Sequence, residues 1–114
     1  MTLKEVEKKV GLDVVTMKEY EDRNITGGYA SDLLSDVIAH AEEGNIWVTL
    51  QTHLNIVAIA AMKGICAIIT VNGRKPDDET ISRANQEKVT IMVSKLPAFE
   101  VVGRLYSLGL RGIK

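Results

Sequence analysis

The stretch Leu54 to Gly73, LNIVAIAAMKGICAIITVNG, constrains the fold more than any other part of this sequence. Its second half, Ile65 to Val71, is an unbroken apolar run rich in β-branched residues, closed by the turn signal Asn72-Gly73. Such a run has no polar face to give to water, so it reads as a strand buried on both sides within a parallel sheet. The first half is an apolar helix stopped by Lys63 and Gly64, a cation for the negative end of the helix dipole and a glycine for the left-handed turn. A strand this apolar needs helices over both faces. An α/β fold follows, a three-layer α/β/α sandwich with a mostly parallel sheet.

The length, 114 residues, matches one domain. Fourteen basic and fifteen acidic residues leave a net charge of −1 and a pI near 6.1. No cluster of Lys and Arg marks a nucleic-acid partner. The single cysteine, Cys66, excludes an internal disulfide and a cysteine-based zinc site, and its place in the apolar run makes it a small buried hydrophobe. The longest apolar stretch is broken by Lys63-Gly64, short of the ~18 residues of a membrane span. Thr2 to Lys9 is charged, unlike the apolar core of a signal peptide. A cytoplasmic protein with no membrane partner is expected.

In chain order, Thr2 to Glu5 fits a capping box, Leu3, Val6 and Val10 share one helical stripe, and Gly11 ends the helix. Leu12 to Met17 reads as an edge strand and Lys18 to Arg23 as a solvated, charged loop. In Asn24 to Tyr29 the two glycines predict positive φ and a loop feeding a helix capped by Ser31, with Leu33, Leu34, Val37, Ile38 and Ala41 inward. That geometry suits a phosphate or carboxylate, or makes only a tight turn. Ile46 to Leu50 is the next strand, with Trp47 under a helix, and Thr52 is placed to cap the helix Leu54 to Met62. Pro76 or Asp77 opens a surface helix reaching about Lys88, and Val89 to Val93 is the last strand. The final helix is expected to bury Phe99, Val102, Leu105, Tyr106 and Leu108, with Gly103 marking close packing. Residues 1–110 then form the domain, and 111–114 end a short basic tail.

Ligands of parallel sheets bind in the crevice outside the carboxyl ends of the strands. The candidate ligand-binding residues there are Thr26, Gly27 and Gly28, Thr52 and His53, Asn72, Gly73 and Arg74, and Lys95. Amides, hydroxyls and cations make this a set for an anion. GxxxxGK[ST], GxGxxG and GxSxG patterns do not occur, no catalytic or metal-ligating constellation stands out, and the sequence names no cofactor.

The run Asp22-Arg23-Asn24-Ile25-Thr26-Gly27-Gly28 resembles the DRTGG-domain family, with Asn24 and Ile25 interposed in the eponymous letters. GGYASDLLSDVIAHA, IWVTLQTH, AIITVNGR and AFEVVGRLYSLG extend the resemblance from about Met1 to Leu110. It implies the layered fold of the amino-terminal domain of HPr kinase/phosphorylase, in modules that regulate or assemble and do not catalyse. The kinase's phosphate loop belongs to a separate domain and is not in this sequence, so kinase activity does not carry over.

A regulatory or ligand-sensing module is therefore expected, binding a nucleotide or small anion, acting through dimerisation and regulating a partner enzyme. A small enzyme using His53 and Lys95 on a phosphorylated substrate, and a purely structural pairing scaffold, are the alternatives. The homodimer rests on Leu54, Ile56, Val57, Ile59 and Met62, which exceed one core-facing stripe of about 100°. The family resemblance also implies dimer contacts.

Overall fold

The computed structural model describes residues 1–112. In chain order the elements are α1 (Leu3–Val10), β1 (Asp13–Val14), β2 (Gly27–Ala30), α2 (Leu34–His40), β3 (Asn45–Thr49), α3 (Asn55–Lys63), β4 (Ala67–Thr70), α4 (Asp78–Gln86), β5 (Ile91–Val93) and α5 (Ala98–Ser107). The sheet order is β1-β5-β4-β3-β2; all neighbours are parallel except β1, which runs antiparallel to β5 at one edge. The apolar run lies where its composition requires, with all of Ile65 to Val71 buried and β4 central.

The layering follows from chain order. From β2 to β5 each crossover steps one strand in the same direction across the sheet. Right-handed crossovers that all advance one way must lie on one face, so α2, α3 and α4 share it. The helices outside the crossovers, α1 and α5, cover the other. The strand pleat sorts the core accordingly. Trp47, Ile68 and Ile91 join Val37, Ile56, Val57 and Ala84 under the crossover helices, whereas Ile46, Val48, Ile69 and Met92 meet Leu3, Val6, Val101 and Leu105.

Local signals decide most helix ends. Thr2 and Glu5 close the capping box of α1, Asp77 caps α4 by accepting from the Thr80 amide at 2.9 Å, and Gly11 and Gly64 take the left-handed conformation after α1 and α3. Other expectations need correction. Thr52 does not cap α3, whose cap position is Leu54. In α3, Ile56, Val57, Ile59 and Ala60 are buried within the chain itself against α2, α4 and the sheet, so of the residues expected to face a second copy Leu54 is half-buried and Met62 is exposed. Leu33 and Ile38 of the α2 region are exposed, and only Val37 of that helix is buried.

The last helix turns a different side inward than expected. Val101 and Leu105 face the core, while Phe99 is 86% exposed, Tyr106 57% and Val102 38%. A side chain added at Gly103 would meet nothing within 4 Å, so this glycine marks open surface and not close packing. The described end of the expected basic tail is anchored as well. The Arg111 carbonyl accepts from the Gly28 amide at 2.9 Å, and the Arg111 guanidinium stacks 3.9 Å from the Tyr106 ring centroid. Ile113 and Lys114 lie outside the described residues.

Candidate functional site at the carboxyl end of the sheet

The nine candidate residues fall at opposite ends of the sheet. Gly27 pairs with Asn45 at the start of β2 and β3, so Thr26, Gly27 and Gly28 sit at the amino end. Thr52, His53, Asn72, Gly73, Arg74 and Lys95 follow β3, β4 and β5 and gather at the carboxyl end. The Gly-Gly pair is therefore the opening of an edge strand and not a loop feeding a helix.

Neither glycine has positive φ. Gly27 is needed because a Cβ there would stand 2.5 Å from the Arg111 carbonyl oxygen, where the end of the chain crosses the strand. Gly28 meets only ordinary contact, its nearest neighbour being the Ile46 carbonyl oxygen at 3.9 Å. Around them the DRTGG-like run stitches distant backbone. The Asp22 carboxylate accepts from the Lys4 amide at 2.9 Å, at the amino end of α1. The Arg23 guanidinium donates to the Gly64 and Ile65 carbonyls at 3.1 and 3.2 Å, beyond the end of α3. The Thr26 hydroxyl donates to the Glu43 carbonyl at 2.8 Å and accepts from the Asn45 amide group at 3.1 Å. The 18–23 segment is the exposed, charged loop that its composition suggests, and it also makes bonds to distant backbone. Lys18 also donates to the Val14 carbonyl and Tyr20 to Glu7.

At the carboxyl end, Asp32 is a residue that sequence reasoning missed. Its carboxylate accepts from the Thr49 hydroxyl at 2.8 Å and the Leu50 amide at 2.7 Å, while its carbonyl accepts from the Gln51 side chain at 3.0 Å. It ties the exit of β2 to that of β3. Nothing in the local sequence signals this, because both partners come from the next strand.

Asn72 and Gly73, at φ 58° and 67°, form the turn that their sequence announces. Their amides are already engaged, donating to the carbonyls of Leu96 at 2.9 Å and Ser94 at 2.8 Å. These bonds staple the β4–α4 loop to the β5–α5 loop, so Arg74 and Lys95 ride on one joined platform. Arg74, Lys75 and Lys95 are exposed and form no ion pair among the described residues.

The first amides of α3 are also taken. Asn55 donates to His53 Nδ1 at 3.3 Å and Ile56 to the His53 carbonyl at 3.1 Å. His53 therefore accepts at Nδ1 and leaves Nε2 to solvent or a ligand. The Asp77 carboxyl is held below the ordinary carboxylate range, first by the Thr80 amide and hydroxyl and further by nearby His53. Beneath these loops lies the Thr70 hydroxyl, fully buried and without a hydrogen-bond partner among the described residues.

This end carries cations, hydroxyls and carboxylates: Asp32 and Asp77 are occupied in fixing backbone, while Asp78 and Glu79 are exposed in the first turn of α4. Among the described residues, no group of three or more His, Cys, Asp and Glu side chains could hold a metal ion, and no helix is long and apolar enough to cross a membrane.

No family model matches the sequence, and no curated protein matches it. Among solved structures, the chain is similar to the CBS and DRTGG domains of the regulatory region of Clostridium perfringens pyrophosphatase, determined in complex with the activator diadenosine tetraphosphate. The TM-score is 0.71 at 14% sequence identity, over 91% of this chain and 45% of that one. The present chain thus spans less than half of that neighbour. This likeness shows that the chain has a fold found in a DRTGG-containing protein, the family that its own sequence resembles.

Proposed function

We propose that this chain is a non-catalytic regulatory module of the DRTGG type, which senses a small anion or the phosphate of a nucleotide at the carboxyl end of its sheet. One observation carries this reading: Arg74, Lys75 and Lys95 form no ion pair among the described residues and stand on two loops joined by backbone hydrogen bonds, while Asp32 and Asp77 are engaged in fixing backbone. Preplaced cations with His53 and Thr52 beside them attract an anion, yet no base is aligned with a nucleophile for general acid–base chemistry. The structural neighbour, a regulatory region that binds a nucleotide activator, supports the same class.

A thermal-shift series with phosphate, pyrophosphate, AMP and ATP tests it. Ligand at 100 times its Kd stabilises by about 2.7 kcal/mol, and the paired substitution Arg74→Ala and Lys95→Ala should erase that shift. No shift with any of the four would refute the anion site. Hydrolysis of these compounds, lost in His53→Ala, would instead favour the small-enzyme alternative.

The regulatory reading includes a homodimer, now assigned to α5 and not to α3. Phe99, Val102 and Tyr106 form an apolar stripe at helical spacing, and Gly103 leaves its middle low. Two copies of α5 crossing antiparallel near Gly103 would set Phe99 by Tyr106 and Glu100 by Arg104, a self-complementary match suited to a two-fold axis. Sedimentation at micromolar concentration should show a dimer that Phe99→Asp splits without loss of fold. A purely monomeric parent chain would dispose of this pairing.

A further inference from the structure

At the amino end of the sheet, beside the 16–23 segment, lies a cavity of about 250 Å³ that the anion site does not use. Cys66, Ala84 and Val89 supply its apolar lining. The Cys66 thiol is pushed up to about 11 by burial, so it offers a contact surface and not a nucleophile. Tyr20 is fixed beside the cavity by its bond to Glu7, with the Lys4 ammonium 5.9 Å from its ring centroid. Burial and Glu7 also keep its phenol protonated.

Two polar groups are left over for a guest. The Asn85 side-chain oxygen accepts from the Met17 amide at 2.9 Å, which leaves its NH2 group free to donate. The Thr90 hydroxyl has no bonded partner among the described residues. Around the rim, Glu19 and Glu21 balance Arg23 and Lys88, so the cavity has no net charge with which to hold a phosphate.

Lys88 supplies the second, independent observation. After α1, α3 and α5 the left-handed position is filled by Gly11, Gly64 and Gly109. After α4 the same turn is closed by a bond from the Val89 amide to the Ala84 carbonyl at 2.8 Å, yet the residue at φ 58° is Lys88. A side chain there opposes the local preference for glycine. Lys88 is thus a backbone outlier at the wall of a cavity, and from that placement a role for its side chain is inferred.

We propose that this cavity binds an uncharged planar heterocycle of nucleobase or nucleoside size, with Tyr20 and Met17 as its walls and Asn85, Thr90 and Lys88 as its polar contacts. The site is independent of the anion site, which lies at the opposite end of the strands. Calorimetry and thermal shift with adenosine, guanosine and uridine test it. At least one nucleoside should bind. Lys88→Gly should raise the melting temperature of the free chain by a few degrees, by relieving the backbone, and weaken the nucleoside by ~10-fold. Thr90→Val should weaken it as well, and Lys95→Ala at the far end should leave it unchanged. Failure of all three nucleosides to bind overturns the proposal, as does binding that neither Lys88→Gly nor Thr90→Val affects. Pyrophosphate titrated alongside reads the anion site alone, so the loss of one site is distinguishable from the loss of the other.

Discussion

The two ends of the sheet are built on opposite rules. At the amino end, Asp22, Arg23 and Thr26 each bond to backbone groups of other elements, and Gly27 admits the end of the chain at close range. At the carboxyl end the backbone is tied by Asp32 and by the Asn72–Leu96 and Gly73–Ser94 bonds, which leaves the long cations with nothing to hold. A motif in which every polar group has a partner stabilises. Side chains left without partners on a rigid platform are free to meet a ligand. The residues that spell the family-like motif therefore belong to the scaffold, and the proposed anion chemistry stands at the other end of the strands.

The contrast can be broken first at Arg23. Removing a charged donor from two carbonyls should cost about 2–3 kcal/mol in urea unfolding, and Arg23→Ala within 0.5 kcal/mol of the parent would refute its stitching role. Next comes Gly27→Ala, expected to cost ~1–2 kcal/mol because the chain end must shift, whereas Gly28→Ala should be nearly neutral. Equal losses at both glycines would return the explanation to backbone freedom. At the carboxyl end, Thr70→Val removes a buried hydroxyl without a partner and should stabilise by about 1 kcal/mol. Destabilisation there would mean that the hydroxyl is bonded in solution. Arg74→Ala and Lys95→Ala should each move stability by less than ~0.5 kcal/mol while removing the anion response.

The smallest effect concerns acid. The Asp77 carboxyl titrates lower in the folded chain than in the unfolded one, because the Thr80 amide and hydroxyl bond its charged form. Its contribution is present above the unfolded pKa and lost as pH falls through the folded one. Asp77→Asn should flatten the acid limb of a stability profile and leave its neutral-to-basic limb parallel to the parent's. An unchanged acid limb would show that the cap bond does not form.

The buried strand, the capping box, Asp77 and the glycine after α3 were legible in the sequence because each rests on neighbours in the chain. The role of Gly27 was not. Glycine serves either positive φ or close approach, and the group approaching here, the Arg111 carbonyl, comes from the other end of the chain. In α5 two apolar stripes compete, Val101 with Leu105 and Phe99 with Val102 and Tyr106, and periodicity cannot rank them. The anchoring of the exposed segment 18–23 was not legible because its partners, the amide of Lys4 and the carbonyls of Gly64 and Ile65, are backbone groups without a sequence signature. Thr52, His53, Arg74 and Lys95 could be placed at one end because strand order alone decides that; Thr26 was misplaced because Asn24 to Tyr29 was read as a loop feeding a helix, whereas it opens strand β2.

The strand order also sets a timetable for folding. Strands β2 to β5 each pair with the next strand in the chain, so that sheet can grow one helical crossover at a time. The pairing of Asp13 with Val93 closes a far longer loop, and its entropic cost falls due only when the last strand exists. Leu3, Val6 and Val10 take part of their cover from Ile46, Val48 and Ile69 and the rest from Val101 and Leu105, near the other end of the fold. The layer of α1 and α5 therefore joins the two ends of the fold, and it is complete only when both helices have formed.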